Sequence, residues 1–285
     1  MRQNAFTVDL EDWYHGIELP YADWASYSPR LEKGFYTIFD LLEEHDAKAT
    51  FFTLGWVAKK YPQLIKELAN AGHELGSHSY SHEKVYNQTC DKFRAEVRLT
   101  KEIIENITGQ KVRTHRSPFF SITSQSLWAL EVLAEEGYEI DCSISPIKTW
   151  RYGISTCPDS IFRIAEINMI EFPASKFRFL SKNWAIGGAY FRLFPYSFTA
   201  NGIKQRTQKQ QCTMFYVHPW EYDPEHPRVK FERKAMITHY TNLNKTPGNT
   251  KKLLKQFEFD IVSNVTRNYE QQRHIESVNI KVLQD

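Results

Sequence analysis

Short apolar runs alternate with amphipathic helical stretches through the first 145 or so residues, and this alternation limits the fold more than any other feature of the chain. In FTVDLE, Phe6, Val8 and Leu10 fall on one side and Thr7, Asp9 and Glu11 on the other, the period of a strand buried on one face. Residues 34–46 place Phe35, Ile38, Phe39 and Leu42 at helical spacing. KATFFTLG then reads as a strand, and YPQLIKELANAG as a helix with proline at its start and glycine beyond its end. HELGSH, KVRTHRSP and YEIDCSI repeat the strand pattern, separated by helical stretches at 89–107 and in SITSQSLWALEVLAEEG. Strands alternating with helices imply a parallel sheet, open or closed into a barrel, with polar residues at the strand C-terminal ends facing the site.

The pattern weakens after residue 145. SPIKTWRYGISTCPDS reads as a long loop, IFRIAEINMIEFP as strands, and the glycine pair in AIGGAYFRLFPY as a close backbone approach or a turn. QCTMFYVHPW is a further buried strand ending on His218, and a helix is expected around NTKKLLKQFEF. Nothing with linker composition separates the tail, so residues 1–285 are expected to form one domain, with 223–285 an extension packed on it.

Three strand ends carry polar clusters: Asp9 to Asp12 in DLED, His78 to His82 in HSYSH, and His218 in VHPW. Alone, H-x-x-x-H is more often a coincidence, acids after a strand more often cap a helix, and a lone histidine more often sits satisfied in a core. Together, at ends that a parallel sheet brings to one side, they are the parts of a catalytic metal site. Two imidazoles and a carboxylate leave a position for water, a second carboxylate can take a proton, and another histidine can return one. Arg116 in THRSPFF is either a surface charge or a clamp that keeps a carboxylate ionised.

The ordered set DLED, HSYSH, RSPF and YVHPW resembles the polysaccharide deacetylase family, carbohydrate esterase family 4, over residues 6 to about 220. VDLEDWYH, GGAYFRLFPY, FYVHPWEYDP and HYTNLNKT are similar to the branch associated with exosortase and exopolysaccharide loci. The resemblance implies an α/β fold, a distorted (β/α) barrel of parallel strands with fewer than eight regular repeats. It implies a metal-dependent hydrolase that removes an N-acetyl group from an amino sugar in a glycan or glycan precursor. Carried over position by position, Asp9 matches the general base, Arg116 the residue that orients it and His218 the general acid. Asp12, His78 and His82 match the metal ligands, Pro118, Phe119, Trp220 and Tyr190 the substrate contacts, and Asp141 a supporting position. Zinc is the expected ion, with cobalt or nickel as alternatives.

Leu10 and Glu11 intervene where the family has adjacent aspartates, and strand alternation puts Glu11 on the face of Asp9, so Glu11 is the alternative metal carboxylate. The fourth motif, CSISP after Asp141, lacks the family's tryptophan context. A formamide or cyclic ureide hydrolase of the same fold, and an inactive glycan-binding relative, are the competing functions. Trp13, Trp56, Trp150, Trp184 and Tyr190 are candidates for a glycan groove, although large aromatics are more often core.

A net charge of +2 supplies no field for nucleic acid. Cys90, Cys142, Cys157 and Cys212 form no C-x-x-C pair and read as reduced thiols. With no apolar leader and no run of 18 apolar residues, a cytoplasmic protein is expected, meeting an N-acetylated sugar linked to lipid or nucleotide, or a short glycan.

Overall fold

The computed structural model describes residues 4–230 and 233–284. Among them the strands are β1 (Asn4–Leu10), β2 (Thr50–Thr53), β3 (Glu74–Ser77), β4 (Thr114–His115), β5 (Ile140–Asp141) and β6 (Phe162–Ile164). They continue with β7 (Met169–Glu171), β8 (Lys176–Phe179), β9 (Lys182–Ala185), β10 (Thr213–Val217), β11 (Phe259–Asp260) and β12 (Glu276–Val278). One sheet runs β10-β1-β2-β3-β4-β5-β7-β6-β12, with β11 also pairing β1, and β8 and β9 form a separate hairpin. Within the large sheet only β6 and β7 pair antiparallel, so the expected mainly parallel α/β architecture is what forms. The regular repeats stop at β5, where the sequence alternation fades.

All seven residues of β1 are buried, not only its apolar face. It is flanked by β10 and β2 in parallel register, Asp9 lying beside Phe52, and parallel strands carry cover on both sides. Thr7 and Asp9 therefore point into the interior instead of to solvent.

Helices at Leu31–Glu44, Pro62–Asn70 and Cys90–Thr108 arise where the spacing places them, the first burying Leu31, Phe35, Ile38 and Leu42 as one stripe. Thr89 caps the third through Lys92 N, and Gly109, at φ 70°, ends it. The helix expected from Ser121 begins only at Trp128, because Ser126 is spent on a turn: its hydroxyl accepts from Thr123 N and donates to Ser121 O, both at 3.0 Å.

Helix Leu31–Glu44 presses on the turn Pro219–Tyr222 that follows β10. A Cβ at Gly34 would lie 1.8 Å from Pro219 O, so this contact requires glycine. The tail closes back on the sheet through β11, whose Phe259 ring meets Phe6 at 5.5 Å. No helix among the described residues is long and apolar enough to cross a membrane.

Candidate active site

The C-terminal ends of β1, β3, β4 and β10 converge as parallel topology requires. Donor atoms of Glu11, His78 and His82 lie within 4.8 Å of one another, and all three residues are buried. His78 Nδ1 donates to Arg116 O at 2.7 Å, which leaves Nε2 as a lone pair. His82 sits at φ 56°, an uncommon backbone state for a non-glycine residue, and this turns its ring back toward His78 at 5.2 Å. Glu11 Oε1 accepts from Trp220 Nε1 at 2.9 Å. Its Oε2 lies 2.7 Å from His82 Nε2. Three buried donor atoms this close together, one carboxylate oxygen and two imidazole nitrogens, fit a cation. Burial alone would raise the Glu11 carboxyl, but the charges of His82 and His218 outweigh it and hold the group well below the usual carboxylate range.

Asp12, expected as the metal carboxylate, is not in this cluster. Its Oδ1 accepts from Trp13 N at 2.8 Å, and its Oδ2 from Arg30 N at 2.8 Å and Leu31 N at 3.1 Å. It caps the short helix Trp13–Gly16 and ties that helix to the start of the next. Burial pushes its carboxyl up to about 6 against those amides. The strand period extends one residue past Leu10, so Glu11 shares the inward face with Asp9 and takes the place assigned to Asp12.

Arg116 is fully buried. It donates from Nη1 to Asp9 Oδ1 at 2.6 Å and to Thr7 Oγ1 at 3.0 Å, with its guanidinium 4.2 Å from the Phe52 ring. The surface-charge reading is thereby removed. Asp9 Oδ2 faces His218 Nε2 at 3.7 Å. Asp141, a supporting position in the sequence, instead bonds His115 Nδ1 at 2.9 Å and Ser143 Oγ at 2.6 Å, below the site.

Two residues escaped the sequence reading. Glu221, fully buried, stands 3.0 Å from His218 Nδ1, and buried Arg192 approaches Glu221 at 3.6 Å while donating to the carbonyls of Thr238, His239 and Thr241. The signal was present in HPWE, a carboxylate three residues beyond the histidine. Burial would lower the His218 imidazole, but the charges of Glu11, Glu221 and Asp9 push it up to about 9. At neutral pH the ring therefore carries both protons, Nδ1–H donating to Glu221 and Nε2–H facing the Asp9 side of the site.

These groups line a cavity of 170 Å³ with Phe119, Trp220, Tyr152 and Tyr216 among its walls. Trp220 is held by Glu11 and stacked 5.0 Å from His218. Pro118 is buried, opens the turn Pro118–Phe120 and does not reach the wall. Tyr190 lies outside this cavity, in an adjoining groove with Trp150. Trp13 is core, and Trp184 packs against Phe194 and Phe198.

Comparison with known proteins adds two adjoining family matches, "Polysaccharide deacetylase" over residues 27–139 and "Domain of unknown function (DUF3473)" over 142–267. His78, His82 and Arg116 fall in the first, His218 and Glu221 in the second, and Asp9 and Glu11 precede both. A peptidoglycan-N-acetylglucosamine deacetylase of Bacillus cereus is 39% identical over 95 residues, 33% of this chain and 34% of that one. The chain spans about a third to a half of the length of the first curated relatives it matches. A Mycobacterium smegmatis crystal structure classed with the polysaccharide deacetylases superposes with a TM-score of 0.63, at 16% identity over 97% of this chain and 93% of that one. A mutant of a CE4 family pseudoenzyme from Bacillus anthracis, 15% identical, does so at 0.50 over 93% and 67%. The fold is thus shared by an inactive protein, and activity has to be argued from the site. Residues 27–139 are thus identified as a polysaccharide deacetylase domain and residues 142–267 as a DUF3473 region, on a fold shared with the solved polysaccharide deacetylase structure over nearly its whole length.

Proposed function

We propose that this chain is a metal-dependent hydrolase that removes the acetyl group from an N-acetylated amino sugar of a glycan or glycan precursor. The observation that carries this reading is the meeting, in one 170 Å³ cavity, of a Glu11/His78/His82 donor set with an arginine-clamped carboxylate and a carboxylate-held histidine.

Glu11, His78 and His82 would hold the ion. A divalent cation there, zinc first and cobalt or nickel as alternatives, would supply Lewis acidity, which activates water near neutral pH and polarises an amide carbonyl. Asp9, oriented by Arg116, takes the proton of the attacking water. His218, protonated at both nitrogens, delivers a proton from Nε2 to the departing sugar amine, while Glu221 accepts from Nδ1–H, stabilises the imidazolium and orients the ring. Trp220 Nε1 holds Glu11 in place while its ring backs His218. The products are acetate and a free amino sugar.

A formamide or cyclic ureide would use the same groups, and the acyl product separates these cases. An inactive glycan binder has no use for a base and an acid 3.7 Å apart, each with its own buried partner. Four unpaired cysteines support a reducing compartment, hence a cytoplasmic encounter with a precursor of an exported polysaccharide. Mass spectrometry of an amino-sugar panel tests the reading: a loss of about 42 Da per acetyl group is expected from metal-activated hydrolysis. No mass change with metal-loaded protein, or the same change with Asp9→Asn, would refute it.

A further inference from the structure

Between Glu171 and Glu221 the sequence holds no carboxylate but seven Lys or Arg residues. Two of the seven, Arg192 and Arg206, are buried and engaged with internal partners. The hairpin of β8 and β9 carries Arg178 and Lys182 outward, and among the described residues no ion pair or hydrogen bond engages either side chain.

This hairpin pairs with no other strand and is anchored from one face. Phe177 is buried on the helix Tyr196–Gln208, where a Cβ at Gly202 would lie 2.7 Å from its ring. Phe179 and Trp184 meet Phe198 at 5.3 and 5.6 Å, and Trp184 Nε1 donates to Phe179 O at 3.2 Å. Half-buried rings continue from there through Phe194, stacked 4.4 Å from Phe198, to Tyr190, 6.0 Å from Trp184 and beside the opening of the catalytic cavity.

The tip has a residue that folding does not explain. Leu180 and Ser181 join the strands with φ of 47° and 62°, the left-handed pair that a two-residue hairpin loop ordinarily fills with Asn-Gly or Asp-Gly. Leucine is disfavoured there, and this one gains no burial: it is 82% exposed, next to Phe179 at 40%.

We propose that this hairpin tip is a peripheral membrane anchor. Leu180 and Phe179 enter the acyl boundary of an anionic bilayer, Arg178 and Lys182 meet its headgroup phosphates, and the half-buried rings lie at headgroup level. An apolar tip flanked by uncompensated cations fits a partner that is anionic at its surface and apolar beneath. A second copy of the chain would set like charges against each other across a two-fold axis, and a soluble polyanion would leave Leu180 in water. No described helix is able to span a membrane, so the contact is interfacial. It brings the neighbouring cavity to the bilayer surface and does not depend on the reaction that cavity performs.

Flotation of the full chain with vesicles of phosphatidylcholine and phosphatidylglycerol in equal parts tests the proposal. Expected is binding that weakens about tenfold with Leu180→Asn, the size of one lost apolar side chain, and about fivefold with each of Arg178→Gln and Lys182→Gln. Asparagine suits the left-handed position, so Leu180→Asn should unfold at the same temperature or higher, which separates lost docking from a lost fold. Raised salt, or phosphatidylcholine alone, should release the protein. No flotation, or flotation untouched by all three substitutions, would overturn the proposal. So would self-association abolished by Leu180→Asn without vesicle binding, which assigns the tip to a second copy. Binding of dextran sulfate in place of vesicles, equal in the unmodified chain and Leu180→Asn, would overturn it in favour of a soluble polyanion.

Discussion

The two sides of the cavity are built by different means. The proposed metal donors and base sit on the ends of β1 and β3, clamped from β4, inside the regular alternation of strands and helices. The acid side is assembled from β10, the turn after it, Arg192 and the helix Arg233–Tyr240. On the first side backbone topology does the positioning, and on the second a chain of buried polar contacts does. The acid side should therefore be perturbed by residues that never touch substrate, and the metal side mainly by its ligands.

The largest effect tests the metal side directly. Glu11→Gln should abolish stoichiometric metal binding and lower kcat by about a thousandfold or more, while Asp12→Asn should keep the metal and lose about 1 kcal/mol as a weakened cap. Metal analysis with thermal unfolding measures both, and a metal-free Asp12→Asn protein would reverse the assignment. Asp9→Asn should keep the metal and lower kcat by about 10³, within the range for a general base.

On the acid side, His218→Asn should cost about 10² to 10³ in kcat. Glu221→Gln should cost about tenfold to a hundredfold with KM unchanged, and nothing more when added to His218→Asn. Additive losses would show that Glu221 acts independently of the histidine. Between the two sides, Gly34→Ala should destabilise the fold by about 1–3 kcal/mol through overpacking against Pro219, read as a lowered Tm.

The smallest effect is on acid stability. Burial depresses His73 and His226 to about 4 and His239 to about 2. Each is therefore neutral in the folded protein at pH values where the unfolded chain already binds its proton. Their contribution is complete above about pH 6.5 and is lost as pH falls, down to about 4 for His73 and His226 and on toward 2 for His239. Two of the three belong to the acid side, so a titration watching Trp220, stacked 4.0 Å from His239, should change before the regular half unfolds.

The metal side was legible because period-2 and period-3.6 patterns place residues without knowledge of the rest of the fold. That same rule pointed to Glu11, whereas carrying over the family's second aspartate by residue type pointed to Asp12. The acid side was legible only at His218, the end of a buried strand. Arg192 acts through carbonyls some 46 to 49 residues away, and no local periodicity encodes such a contact. Trp150 could be named, but as one aromatic among several, because its exposure follows from a turn closed by hydrogen bonds between Thr149 and Tyr152.

One residue belongs to both halves of the proposed chemistry. The guanidinium of Arg116 grips Asp9, while its main-chain carbonyl takes the proton of His78. Electrostatic support for the base is supplied by atoms a substitution can remove, and the ligand's tautomer by an atom that every replacement retains. A truncated side chain at this position would therefore disarm proton abstraction yet leave the imidazole ready to coordinate, so the two contributions can be dissected at a single codon.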